Sequence, residues 1–409
     1  MKSAMTVFRS VRLSEFAVAF RTCYRKYCTT ENYPTTTTEN YPTTTTENYP
    51  TTTTEKVIHP YYRIHPWKSE NEFAKDLLKN VIYNSGTTFI LVIMSCNSYF
   101  LSYFDISGGI IAINKPYGIS LYSKPDTKPH LFSYHKIVGA VDYSINDTLS
   151  YLAKELDVPT LIPCLGAEKY VSGVYIFGIN EKVCHQLELS RRRTQGKYKK
   201  YWAITTRVPN EIKGKYRLAM ILKMSALRDK KPIIVTQWSN NNVKNDKVKI
   251  MNVDYKVISN STHNLSSLIE IVSSARKWHC IRLFASTMLY SPILGDNIHG
   301  SRVQEIMGTW LKIDPFADST QNLPKINRQL LELLDMKLSQ QEIIPAHIHL
   351  KSVHLIIGKE KKDLVIEAPL MDPFDWTCKQ LKFKIPDEIR NSINEDNEEL
   401  IYMNAHDGN

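Results

Sequence analysis

Six cations crowd into ten consecutive residues: Arg191, Arg192, Arg193, Lys197, Lys199 and Lys200, with Tyr198 among them. Guanidinium and ammonium groups at that density suit phosphates, and such contacts make affinity depend on salt. A solvated, charged helix end is the plainer alternative for the same run. His347, His349 and His354 are the other cluster of groups with usable lone pairs. His347 and His349 would share one face of a strand. No third ligand accompanies them, so a metal site is not expected. Seven cysteines are scattered along the chain and none forms Cys-x-x-Cys. That argues against a zinc ribbon or a disulfide scaffold and suits a reducing compartment.

The charge around these residues is unevenly spread. The 409 residues carry a net charge of +11. Residues 1–28 contribute +5, the threonine-rich stretch 29–55 contributes −4, and the tail 386–409 contributes −6. The body between them therefore holds +16. A positive field of that size on a folded body suits a polyanion such as RNA. The hydrophobic share, 43%, is enough for a packed core and excludes a wholly disordered, collagenous or multi-span membrane chain.

The elements that must position these groups read as follows. Residues 1–28 are basic, amphipathic and poor in acids, the composition of a mitochondrial transit peptide. Residues 29–56 contain Glu-Asn-Tyr-Pro and four threonines with a period of eight, starting at Glu31, Glu39 and Glu47. A proline in every unit allows neither helix nor core, so this is expected to be a disordered spacer. Residues 57–107 hold a helix over 67–83, with Phe73, Leu77, Leu78 and Val81 on one side, and then an uncharged stretch from Asn80 to Phe104. That stretch is open to three readings: a buried strand pair or insertion, a segment peculiar to this gene model, or a membrane span. Its serines and asparagines make it polar for a span, so none is expected.

Residues 108–385 form the main domain. GGIIAINKP, SGVYIFGI, KYWAITTRV, KPIIVTQW, VDYKVI, SSLIEIV and HCIRLFA read as strands, rich in Val, Ile, Tyr and Trp. NDTLSYLAKEL and NEKVCHQLELSRRR read as helices entered near Asn or Asp. Strands dominate, which predicts an α+β fold with a large mixed or antiparallel sheet. The acidic tail 386–409 is unpatterned and expected to be disordered.

Six segments of this domain resemble, in order, the motifs of RluA-type RNA pseudouridine synthases. GGIIAINKPYGISL, with Lys115, Pro116 and Gly118, is similar to the opening motif of that family. LGAEKYVSGVYIFG, with Ser172-Gly173, resembles its catalytic motif, His-Arg-Leu-Asp-x-x-Thr-Ser-Gly. Lys200-Tyr201-Trp202-Ala203 resembles the Lys-x-Tyr-x-Ala strand, and His279-Cys280-Ile281-Arg282 the His-Gln-Ile-Arg strand. Ser291-Pro292-Ile293-Leu294-Gly295-Asp296, followed by His299-Gly300, resembles the Pro-Ile-Leu-Gly-Asp segment. Glu367-Ala368-Pro369-Leu370 resembles the terminal Glu-Ala-Pro-Leu. The resemblance runs from about residue 108 to 372. Its degraded catalytic motif and mitochondrial-looking N-terminus are most similar to the mitochondrial mRNA pseudouridine synthase group.

The resemblance implies a pseudouridine synthase fold, and isomerisation of uridine within RNA without metal or organic cofactor. A carboxylate must stand beside the sugar, with a cation to orient it and an aromatic ring to stack on the base. Counting back from Ser172-Gly173, the catalytic aspartate position is Glu168, one methylene longer. The motif arginine is Gly166 and the motif histidine Leu165. Tyr201 matches the active-site tyrosine, and Arg282 the arginine that pairs with the carboxylate, so an Arg282–Glu168 pair is expected. Lys115, Arg191, Arg192, Arg193, Lys197, Lys199, Lys200 and Lys277 are the expected RNA contacts. Trp278 either stacks on a base or belongs to the core. The expected protein is a matrix enzyme acting on mitochondrial messenger or ribosomal RNA, with other RNA-granule proteins as candidate partners. The alternative is an inactive RNA-binding protein on the same fold, serving RNA maturation or ribosome assembly.

Overall fold

The computed structural model describes residues 58–84, 109–122, 141, 143–194, 196–245, 247–274, 279–358 and 361–386. The transit-peptide, repeat and acidic-tail segments lie outside the described residues. So does nearly all of the uncharged stretch 80–104. No described helix is long and apolar enough to cross a membrane.

The first described α-helix is α1 (Glu70–Lys79), capped where the Ser69 hydroxyl accepts from the Glu72 amide. The helix expected over 67–83 is thus shorter, and its end becomes strand β1 (Val81–Asn84). Next come β2 (Ile110–Lys115), α2 (Ile145–Glu155), β3 (Ile162–Gly166), β4 (Ser172–Gly178), α3 (Glu181–Arg193) and β5 (Lys199–Ile204). They lead to β6 (Lys213–Met224), β7 (Lys230–Val235), the short α4 (Asn240–Lys244), β8 (Val248–Asn260) and β9 (Ser267–Ser273). Helix α5 (Cys280–Thr287), the hairpin β10 (Val303–Ile306) with β11 (Thr309–Lys312), α6 (Arg328–Leu333), β12 (Ile348–Ile357), β13 (Lys362–Glu367) and α7 (Phe374–Gln380) complete it.

One segment departs from its expected type. HCIRLFA, read as a strand, is helix α5. Residues Cys280 to Ser286 are all buried. A short apolar run buried on every side carries no alternation, so its period cannot separate helix from strand.

Eleven strands form one mixed sheet in the order β1-β2-β4-β12-β5-β9-β8-β6-β7, with β13 on β12 and β3 on β4. Among the described residues, only β4 and β12 pair in parallel in this sheet. Their approach explains the Ser-Gly motif. Gly173 sits opposite Leu350 at φ +108°, and a side chain there would land on the Leu350 carbonyl. Ser172 reaches across to His349, Oγ to Nδ1 2.9 Å.

The two ends of the sheet are covered differently. At the β2–β4 end both faces are buried. Ile111, Ile113, Tyr175 and Phe177 pack against α1 and α2, whereas Ala112, Val174 and Ile176 join the central core with α3 and α5. At the β8–β6 end the face with Met251, Val253 and Ile271 is buried under α5. The face with Lys213, Lys215, Arg217 and Lys256 is open. Further along that open side, Trp202 and Leu268 are covered by α6 and α7.

Candidate active site

Glu168 lies in the turn after β3. The turn is held by its own backbone, Val171 N to Glu168 O 3.0 Å, and by the opening motif, Gly118 N to Lys169 O 2.9 Å. Lys115, at the end of β2, completes the support. Its ammonium is 1% exposed and donates to the carbonyls of Pro116 (2.9 Å), Ile119 (3.2 Å) and Lys169 (3.4 Å). The expected phosphate contact at Lys115 is therefore not available. Three carbonyls consume the three donors of a buried amine. Burial pulls that amine down to about 7, while the charge of Glu168 opposes the shift.

The Glu168 side chain reaches solvent, but protein crowds it on its other sides. That crowding raises its carboxyl above the ordinary range, and Lys199, Arg282 and Lys115 pull it back. Tyr201 projects from β5 toward the same point and is 7% exposed. Burial, then Glu168, push its phenol well above 10. Lys199, two residues earlier on that face, donates to the Gly166 carbonyl. Burial lowers its ammonium, and Glu168 resists this. Cys280 completes the group; burial and Glu168 push its thiol up to about 12, so it stays protonated and unreactive.

Arg282 reaches this site from α5, but the expected contact with Glu168 is not made. Its guanidinium pairs with Asp296 through Nε and Nη2, the Nε bond being 2.9 Å. Both groups are buried. The Asp296 carboxylate is held further by the amides of Ile298 (3.1 Å) and His299 (3.0 Å). Burial alone would raise it; Arg282, His299 and these bonds together bring it to about 2. Gly295 makes the turn possible. Its φ is +76°, and a side chain would strike the Pro345 carbonyl. Arg282 thus acts on Glu168 through space, with its guanidinium 5.9 Å from the Tyr170 ring centre. Beside it, His279 Nδ1 and His299 Nε2 lie 2.9 Å apart. Burial lowers both, His279 to about 4, so both rings are neutral near pH 7.

Gly166, the position expected for the motif arginine, has no room for a side chain. Gly166 pairs directly with Tyr175 across β3 and β4, and any side chain at 166 would enter the Tyr175 ring.

The basic run does not act as one patch. Strand alternation sends Lys199 to the pocket side and Lys200 to the other face of the sheet, where it lies 3.8 Å from Glu270. Lys197 pairs with Asp254 on that other face, 2.8 Å. Arg191 pairs with Glu188, and Arg193 donates to the carbonyls of Ile356 (3.2 Å) and Gly358 (2.8 Å). Arg192 is 71% exposed, with Glu188 at 3.7 Å. Lys277 and Trp278 lie outside the described residues. His347 meets Thr377 (2.7 Å), His349 meets Ser172, and His354 meets Asp363 (2.8 Å). All three have structural partners.

The structure therefore brings Glu168, Tyr201, Lys199, Lys115 and Cys280 together, with Arg282 behind them. Asp296 has no role that its sequence position reveals. It lay in a quoted motif, but a separation of fourteen residues from Arg282 gives no periodic signal.

No family profile matches the chain. Human pseudouridylate synthase RPUSD4, mitochondrial, is 26% identical over 300 residues, covering 70% of each chain. The mouse protein of that name is 25% identical over 338 residues, 80% of this chain and 74% of its own. The solved structure of human RNA pseudouridylate synthase domain containing 4 superposes with a TM-score of 0.51 at 22% identity, covering 77% of this chain and 98% of that one. The α+β architecture is that of a pseudouridine synthase.

Proposed function

We propose that this protein is an RNA pseudouridine synthase of mitochondria, converting uridine to pseudouridine in messenger or ribosomal RNA in the matrix. The similarity to proteins named as mitochondrial pseudouridylate synthases supports the class and the compartment. The composition of residues 1–28 supports the same compartment. The observation that carries the chemistry is the carboxylate of Glu168, open to solvent on one side and surrounded by Lys199, Arg282 and Lys115 on the others.

In this reaction the bond from N1 to the sugar carbon breaks, the base turns, and C5 bonds to that carbon. The C5 proton then leaves and N1, freed from the sugar, gains one, so no net proton is consumed. In this reading Glu168 attacks that carbon or takes a proton from the sugar carbon next to it. The raised carboxyl is a stronger proton acceptor than an ordinary one. The field of Lys199, Arg282 and Lys115 stabilises its charge. Tyr201 offers a ring to the turning base. Its phenol is held neutral, so it stacks and donates rather than removing the C5 proton as an anion. The uridine must leave its stack to reach this depth.

A second reading is an inactive RNA-binding protein on the same fold. The Tyr175 ring supports it, because it leaves no room for a side chain at 166, the position that the resemblance gives to the motif arginine. The longer Glu168 side chain supports it too, since a displacement of about 1 Å costs on the order of 10²-fold in rate.

Pseudouridine formation in mitochondrial RNA by the full chain decides between the two. Product from the wild type, reduced on the order of 10⁴-fold in Glu168→Ala, is expected, by analogy with removal of a catalytic nucleophile or base. RNA binding without product from the wild type would establish the second reading. Product gained only in Glu168→Asp would show a pocket that lost its chemistry at one side chain.

A further inference from the structure

The face of the sheet turned away from Tyr201 carries its own group of cations. Lys213, Lys215 and Arg217 alternate along β6, Lys256 stands on β8, and Lys197 and Lys200 reach in from β5 and the loop before it. Lys213, Lys215 and Lys256 line a groove of about 460 Å³ together with Asp254, Glu270, Tyr255 and Val272. Two carboxylates are available to them, and both are occupied. Asp254 takes Lys197 at 2.8 Å, and Glu270 is shared by Lys256 (3.2 Å) and Lys200 (3.8 Å). Lys213, Lys215 and Arg217 form no ion pair among the described residues.

Lys213 lies directly across from Lys256 in the β6–β8 register, a like-charge pair that weakens a sheet, whereas Lys215 lies across from Asp254, which already holds Lys197, and Arg217 lies across from Asn252. Edge protection would explain one lysine here but not a row. Alternate residues on a strand are about 6.8 Å apart, close to the separation of successive phosphates along an extended nucleic acid strand. Residues 213–218 of β6 lie beyond its pairing with β7, so this row stands at the sheet margin.

We infer that this face binds the phosphate backbone of the RNA beyond the target uridine, as a second contact that long substrates reach around the sheet margin. The inference rests on the proposed RNA substrate. It differs from the pocket in location and in being independent of sequence. Tyr255, whose hydroxyl is tied to the Glu211 carbonyl at 3.0 Å, lines the groove without presenting a free stacking ring. Phosphates rather than bases are the ligands here.

The test is titration of the full chain with labelled oligouridylate of 10 and of 40 nucleotides across a salt series. The proteins are wild type and the triple variant Lys213→Gln, Lys215→Gln, Arg217→Gln. These three side chains are exposed, and an unchanged melting temperature confirms the fold. For the 40-mer, the variant is expected to bind about 10-fold more weakly, with a log–log salt slope shallower by about 2 for three lost phosphate contacts. The 10-mer is expected to bind both proteins alike. An unchanged slope and affinity for the 40-mer would overturn the second contact while leaving the pocket reading intact. Equal losses for both lengths would overturn it as well, since the face would then not be distinct from the pocket. Failure of the wild type to bind either RNA would overturn this inference and the proposed function together.

Discussion

The turn at Asp296 and the turn at Glu168 each place one carboxylate near Arg282, and their surroundings drive them in opposite directions. Asp296 is buried, paired in two places with the guanidinium, and bonded by two backbone amides. Its carboxyl falls to about 2. Glu168 reaches solvent, makes no ion pair among the described residues, and is raised above the ordinary carboxylate range. The first group is fixed in one protonation state and one place. The second is free to change either, as a reacting group must. Arg282 has a different role toward each: bonded to Asp296, it holds its position; toward Glu168 it supplies only a field.

Removal of each carboxylate should separate these roles. Asp296→Ala leaves the Arg282 guanidinium buried without a counter-charge, and breaking such a pair costs about 3–5 kcal/mol. Glu168→Ala relieves a crowded carboxylate, and its effect on stability should stay within about 0.5 kcal/mol, as for other exposed positions. Urea unfolding of the two variants checks this. Comparable losses from both would mean that Glu168 is a structural group as well.

A second contrast sets Glu168 against the lysine beneath it. Lys115 is an amine pulled down from 10.5 to about 7 by burial. A base depressed in the folded state contributes stability that is full above its unfolded value and lost as pH falls through its folded value. The contribution should therefore be complete above pH 10.5 and vanish as pH falls to about 7. The slope between these limits is at most about 1.4 kcal/mol per pH unit. The difference in unfolding free energy between wild type and Lys115→Met isolates it. That difference should rise with pH over this window. A flat difference would mean that the three carbonyls keep Lys115 charged in the fold.

Much of this site could be read from residue order, and what could not follows physical lines. Strands β2, β4 and β5 showed themselves because one face alternates or because β-branched residues crowd a short run. Helix α5 did not, because burial on every side erases its period. The charge of the basic run was plain. Its division was also in principle legible, since alternation along β5 must send Lys199 and Lys200 to opposite faces. Lys115 read as a surface cation because a formal charge does not reveal burial, and here three carbonyls make burial tolerable. The Arg282–Asp296 pair was hidden because a long connection brings its partners together, and only the folded chain supplies that proximity.

The smallest contrast is between Gly166 and the ring that covers it. A glycine in a strand exposes backbone, and an aromatic residue directly across can shield it. Tyr175 does so here, and Lys199 bonds the Gly166 carbonyl from the other side. Gly166→Ala should then cost about 1–3 kcal/mol, because the new methyl group meets a ring in a packed cluster. Tyr175→Leu in the same chain should recover part of that loss, with a coupling of about 0.5–3 kcal/mol expected for residues in contact. A full double-mutant cycle by urea unfolding measures it. Additive losses would show that Tyr175 yields freely. The space for an arginine at 166 would then be available after all, and the obstacle to uridine extrusion would reduce to the missing side chain alone.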